Sequence, residues 1–146
     1  MITESDIEWA AAQGACEDAI AWLRESPRSI EDTIARHPDW LLEHACARMT
    51  DAQLAVAIAT RPGAALSHEH VCARMSDDQF AVAIAARPWT ALHYEHAFLR
   101  LTDAQFAAAI AGEPGVALSH KRACARMTDA QFAVAFSATW GIHTWR

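Results

Sequence analysis

Residues 124–136 read CARMTDAQFAVAF, and the chain has written nearly the same phrase three times before. CARMTDAQLAVAI starts at Cys46, CARMSDDQFAVAI at Cys72 and FLRLTDAQFAAAI at Phe98. Arg48, Arg74, Arg100 and Arg126 mark a strict period of 26 residues. One column holds Thr50, Ser76, Thr102 and Thr128, and the column three further on holds Gln53, Gln79, Gln105 and Gln131. Thr/Ser-x-x-Gln is a capping box, in which hydroxyl and amide side chains satisfy reciprocal backbone N–H groups. Asp51, Asp77, Asp103 and Asp129 add negative charge at the positive end of the helix dipole. Each copy therefore predicts a helix start, and Pro62, Pro88 and Pro114 predict its stop.

The remainder of each copy, such as AALSHEHVCARM at residues 64–75, predicts a second helix of about three turns. Helical winding puts Ala65, Val71, Cys72 and Met75 on one side and Ser67, His70 and Arg74 on the other. Such a helix pair cannot bury its own apolar surface, and stacking similar pairs solves that problem. The expected fold is all-α: an α-solenoid of about five short helix pairs in one domain spanning residues 1–146. Residues 1–25 form an acidic N-terminal cap and worn repeat, 26–138 the repeats, and 139–146 a C-terminal cap. In SPRSIEDTIARHP the period shrinks to 24, with Ile30 and Ile34 in the Leu54 and Ile58 columns and Pro38 as the stop. ITESDIEWAAAQ is a further worn copy with a Ser5/Glu8 capping box. Trp9, Trp22, Trp40, Trp140 and Trp145 fall in the terminal segments, where large aromatics can close the ends of a stack.

Pro-x-x-Ala-Leu, followed by Arg-(Met/Leu)-(Thr/Ser)-Asp-x-Gln and AxAIA, resembles short α-helical tandem repeats of the leucine-rich-repeat-variant and HEAT-like kind. It is also similar to uncharacterised helical repeats of about this period in bacterial proteins. The resemblance covers residues 26–138 and implies a curved binding surface rather than a chemistry. The leucine-rich-repeat variant also carries an N-terminal cysteine cluster holding an iron–sulfur centre. Cys16 stands alone in that region here, so the cofactor does not carry over and none is expected.

Residues 1–43 hold ten acids against three arginines, while residues 44–146 hold eight acids against nine bases. An acidic end joined to a near-neutral body lacks the basic footprint of a general nucleic-acid binder. Positive charge is eleven Arg and one Lys, which suits a high-GC bacterial or phage source. No basic-then-apolar leader opens the chain and the apolar runs are short, so a cytoplasmic protein without a membrane span is expected. Three of the four cysteines share one repeat column. Stacked helices stand about 8–10 Å apart, too far for an easy disulfide, so these thiols are expected to be free and packed.

His68/Cys72 and His120/Cys124 are i, i+4 pairs that zinc can use. They stand two repeats apart, and a site would have to recruit Cys46 without an evident fourth ligand, so no metal is expected. His44, His70 and His96, then Arg122, precede Arg48, Arg74, Arg100 and Arg126 by four residues. Stacked, the two columns make an imidazole and guanidinium ladder for a carboxylate-rich partner or a phosphate backbone. The same arginines, at helix C-termini, can instead neutralise the dipole and pair with the Asp three residues on. The repeat at 87–112 departs from its neighbours: Trp89 stands in the column of Gly63 and Gly115, His93 in that of Ser67 and Ser119, and Tyr94 in that of His68 and His120. Exposed Trp, Tyr and Arg are rich in interface energy, which makes these odd positions contact candidates. No nucleophile elbow, phosphate loop or paired-carboxylate motif is present, so catalysis is not expected.

The expected function is non-enzymatic protein binding, as a stoichiometric inhibitor of the immunity-protein, antitoxin or phage anti-defence (anti-CRISPR) type. The acidic N-terminal region could mimic phosphate charge toward a basic partner. A homo-oligomer is compatible with this. The rival readings are a nucleic-acid binder using the His/Arg ladder and a metal protein using His68, Cys72 and Cys46.

Overall fold

A computed structural model of the chain describes residues 1–141. Helix makes up 79% of it, in 14 α-helices with no strand among the described residues, which places it in the all-α class. The expected closing role of residues 139–146 lies partly outside the described residues, since 142–146, with Trp145, are not among them. The chain divides into two compact units, residues 1–61 and 62–146.

The first unit contains α1 (Glu4–Ala12), α2 (Glu17–Glu25), α3 (Ile30–Arg36), α4 (Pro38–His44), a 3-10 turn (Cys46–Arg48) and α5 (Asp51–Thr60). The capping box of α1 is Thr3/Asp6, not Ser5/Glu8: the Thr3 hydroxyl accepts from the Asp6 N–H and Asp6 accepts from the Thr3 N–H. This register puts Ile7 and Ala10 in the buried Phe106 and Ala109 columns. Gly14, at φ 91°, closes α1 in the left-handed conformation that glycine adopts without a Cβ clash. Helix α3 is capped at Ser29, one turn later than the repeat phase predicts, yet Thr33 and Ile34 are buried in the Ala57 and Ile58 columns. Helix α2 is the exception of this unit, with no buried residue at all.

The second unit contains α6 (Pro62–Ser67), α7 (Glu69–Arg74), α8 (Asp77–Ala86), α9 (Pro88–His93), α10 (Glu95–Phe98), α11 (Asp103–Gly112), α12 (Pro114–Ser119), α13 (Lys121–Arg126) and α14 (Asp129–Trp140). Both bonds of the capping box are present at Ser76/Gln79, Thr102/Gln105 and Thr128/Gln131, as they are at Thr50/Gln53 in the first unit. The prolines do more than stop a helix. Pro88 and Pro114 occupy the first turn of α9 and α12, where the missing N–H costs nothing, and one residue separates each from the preceding helix.

The predicted three-turn helix over 65–75 is two helices, so each repeat has three helices rather than a pair. His68 leaves the helix at φ −100° and ψ 119°, and Tyr94 and His120 break α9–α10 and α12–α13 in the same way. Leu66 and Val71 are both fully buried at 0% exposure. Five positions apart on one continuous helix they would point about 140° apart. The extended residue re-phases the chain so that both reach the core, and Ala65, Val71, Cys72 and Met75 are buried as the sequence predicts.

Equivalent helices meet in register within this unit: α6 on α9, α9 on α12, α7 on α10, α8 on α11 and α11 on α14. Phe80 and Phe106 are each 2% exposed, and Ala83 and Ala109 lie beside them at 1%. In α14 the column behaves differently, for Phe132 is 45% exposed.

Candidate functional site

The arginine column has a visible structural duty at Arg48, Arg100 and Arg126. Arg100 donates to the carbonyl oxygens of Cys72 and Met75 and to Asp77 Oδ1, the last two at 2.8 and 3.2 Å. Its guanidinium carbon lies 4.5 Å from the Phe80 ring centre. Arg126 repeats this 26 residues on, donating to the carbonyls of Phe98 and Leu101 and to Asp103 Oδ1, over the Phe106 ring at 4.7 Å. The carbonyls belong to the end of a short helix, whose last C=O groups have no intrahelical partner. Each arginine thus adds a charged donor to terminal carbonyls of the preceding repeat, two of which (Cys72 and Phe98) also accept from a backbone N–H, while its charge faces the negative end of that helix. The acid it meets is the Asp of the preceding repeat, not the one three residues on. In the first unit Arg48 pairs with Asp6 at 2.8 Å and covers the Trp9 ring at 4.4 Å. Arg74 is half-buried.

The histidine column is partly structural too. His96 Nε2 is 2.6 Å from the Leu66 carbonyl oxygen, and Arg122, in the same column, donates to the His93 carbonyl at 2.9 Å. His44 packs on Trp40 with ring centres 4.9 Å apart and lies 3.6 Å from Glu43. His70 is exposed, with its ring 5.6 Å from that of His68.

The odd residues of 87–112 come together. Pro88 opens α9, so Trp89 and His93 fall at i and i+4 and stack face to face, 5.1 Å apart at 9°. Tyr94 has left the helix, and its ring stands at 90° to His93, 4.8 Å away. His96 lies 5.8 Å from Tyr94, and His120, from the following repeat, 5.3 Å from His93. Trp89 is 44% exposed and His93 is exposed, so the cluster presents π-faces and imidazole edges to the surface of the second unit. His120 was not foreseen as a member; its place one repeat after Tyr94 was the available signal. Among the described residues no three His, Cys, Asp or Glu side chains are grouped to hold a metal ion. All four cysteines are free, and burial pushes the Cys72 thiol up despite the nearby Arg100.

The chain matches no protein-family model, no curated protein and no solved structure. Among the described residues no helix is long and apolar enough to cross a membrane.

The site's electrostatics carry a pH signature. Burial, then His93 and Arg122, hold His120 below the usual histidine range, and burial with Arg36 does the same to His37. A depressed histidine contributes stability above its unfolded value, about 6.5, which is lost as pH falls through the folded value. The Thr3 N–H and hydroxyl, then Arg48, hold Asp6 low against the opposing cost of burial, and the Ser29 groups hold Asp32 low. Their contribution is present above about 3.9 and lost as pH falls through their folded values. Urea midpoints are expected to be level from about pH 8 to 7, to fall below about 6.5 and to fall again below about 4. Paired His37→Asn and His120→Asn substitutions should flatten the first fall alone; a first fall that survives them contradicts the assignment.

Proposed function

We propose that the chain is a short α-solenoid whose function is non-enzymatic protein binding through the ring cluster of Trp89, His93, Tyr94 and His120, in the manner of a small stoichiometric inhibitor. The observation that carries this reading is the large half-exposed Trp89, stacked on His93 where neighbouring repeats have glycine and serine. A pre-stacked indole loses little side-chain freedom on binding, and Trp and Tyr dominate interface hot spots. The cluster suits an apolar or arginine-bearing segment of a protein, since a guanidinium can lie over the indole face. The in-register helices of the second unit and the repeated arginine bonds support the solenoid. Those bonds also favour a protein over a nucleic acid, because Arg100 and Arg126, at 26% and 27% side-chain exposure, already spend their donors on the fold.

The test returns the odd repeat to its neighbours' residues, with Trp89→Ala, His93→Ser and Tyr94→His in one variant. Nuclease-treated lysate of the source organism is passed over immobilised wild type and variant. A protein held by the wild type and weakened at least about tenfold by the variant is expected, as for a hot spot. Equal retention by both, or capture of nucleic acid alone when nuclease is omitted, would count against the reading.

A further inference from the structure

The first unit has a partly open cavity of 320 Å³ between α2 and the helices facing it. Its origin can be followed along one repeat column. Phe106 and Phe80 fill their repeats, Leu54 is a smaller plug, and the worn copy at 26–38 has Ile30 in the column, which lines the cavity and is only half-buried. On the other side α2 offers Ala19 and Leu23, and no residue of this helix is buried. Each loss of side-chain volume leaves space that the surrounding backbone fills only in part. An apolar cavity of about 150 Å³ already takes a benzene ring, so this one has room for roughly two fused rings.

The walls define the chemistry of the occupant. Trp9 and Trp40 meet edge to face, with ring centres 6.2 Å apart, and both line the space. The charged side chains of the wall, Asp6 and Arg48, pair with each other across 2.8 Å. His37 also lines the cavity, and its buried Nε2 has no hydrogen-bond partner. Burial keeps this imidazole in its neutral form, which has an acceptor nitrogen to offer. A buried polar atom without a partner is rare enough to call for one.

We propose that this cavity is a binding site for a small, uncharged, largely apolar molecule of about two fused rings that carries one hydrogen-bond donor for His37. The site is independent of the Trp89 cluster, which belongs to the other unit.

Naphthol, bicyclic and uncharged with a single O–H, is the probe, and its methyl ether is the control without the donor. Titration into the full chain, followed by calorimetry and tryptophan fluorescence, is expected to give saturable one-to-one binding of naphthol. The ether should bind about tenfold more weakly, the effect of one hydrogen bond to a buried partner. Ile30→Phe restores the repeat's own aromatic plug and should raise the melting temperature while weakening naphthol at least tenfold. Ala19→Leu fills the space from the α2 side and stands in if Ile30→Phe does not fold. No saturable binding by the wild type, or wild-type affinity in a folded filled variant, overturns the site. Equal affinity for naphthol and its ether overturns the role given to His37.

Discussion

Phe106→Ala is expected to lower the unfolding free energy by about 3–5 kcal/mol, whereas Phe132→Ala should cost about 1 kcal/mol or less. The two residues end the same pentapeptide, TDAQF, at 102–106 and 128–132, and each follows an intact capping box. Their surroundings separate them. Phe106 is 2% exposed, meets Phe98 edge to face at 5.6 Å and lies under the Arg126 guanidinium, so its removal leaves a void that the packed repeats cannot close. Phe132 is 45% exposed, and water takes the place of the lost ring. Chemical denaturation of both variants checks the contrast; equal losses would mean that the repeat column does not set the packing.

Arg100→Ala is expected to cost about 2–4 kcal/mol. The substitution strips two carbonyl oxygens at the end of α7 of their charged donor and uncovers the Phe80 ring. Most of the effect should come from the carbonyls. Asp77 is fully exposed, and ion pairs in that setting are weak and screened by salt. Arg100→Lys should recover less than half of the loss, because one ammonium cannot reproduce the planar fork that reaches three oxygens while lying on a ring. Asp77→Asn should leave the melting temperature nearly unchanged. A large effect of Asp77→Asn with a small effect of Arg100→Ala would reverse the assignment.

Much of the architecture could be read from the sequence because its signals are local. A capping box is complete within four residues, which is why four helix starts were placed to the residue. The break at His68 and at Tyr94 follows from two core positions, Leu66 with Val71 and Leu92 with Ala97, that compete for one direction and stand too close in sequence to be told apart by helical projection. Helical projection had still assigned the correct faces. At the N-terminus the Ser5/Glu8 pair competes with Thr3/Asp6 as a cap in the sequence, and burial of Ile7 and Ala10 decides between them. The arginine column was legible as a column, but its bonds were not. Its acid lies 23 residues back, a separation only stacking brings into reach. The ring cluster was half visible: the departures at Trp89, His93 and Tyr94 marked it, while His120 joined it from a column whose residue looks ordinary in its own repeat. The cavity left a trace only in the shrinking of one column from phenylalanine to isoleucine.

Under the proposed function, Arg100 holds repeats together while the Trp89 cluster contributes to binding and not to the fold. Urea unfolding of Arg100→Ala beside the Trp89→Ala/His93→Ser/Tyr94→His variant tests that division most directly. The predicted result is a clear loss for Arg100→Ala and a change within about 1 kcal/mol for the ring variant, as for surface substitutions. A ring variant that loses as much stability as Arg100→Ala would show that the cluster belongs to the fold, and would contradict the account.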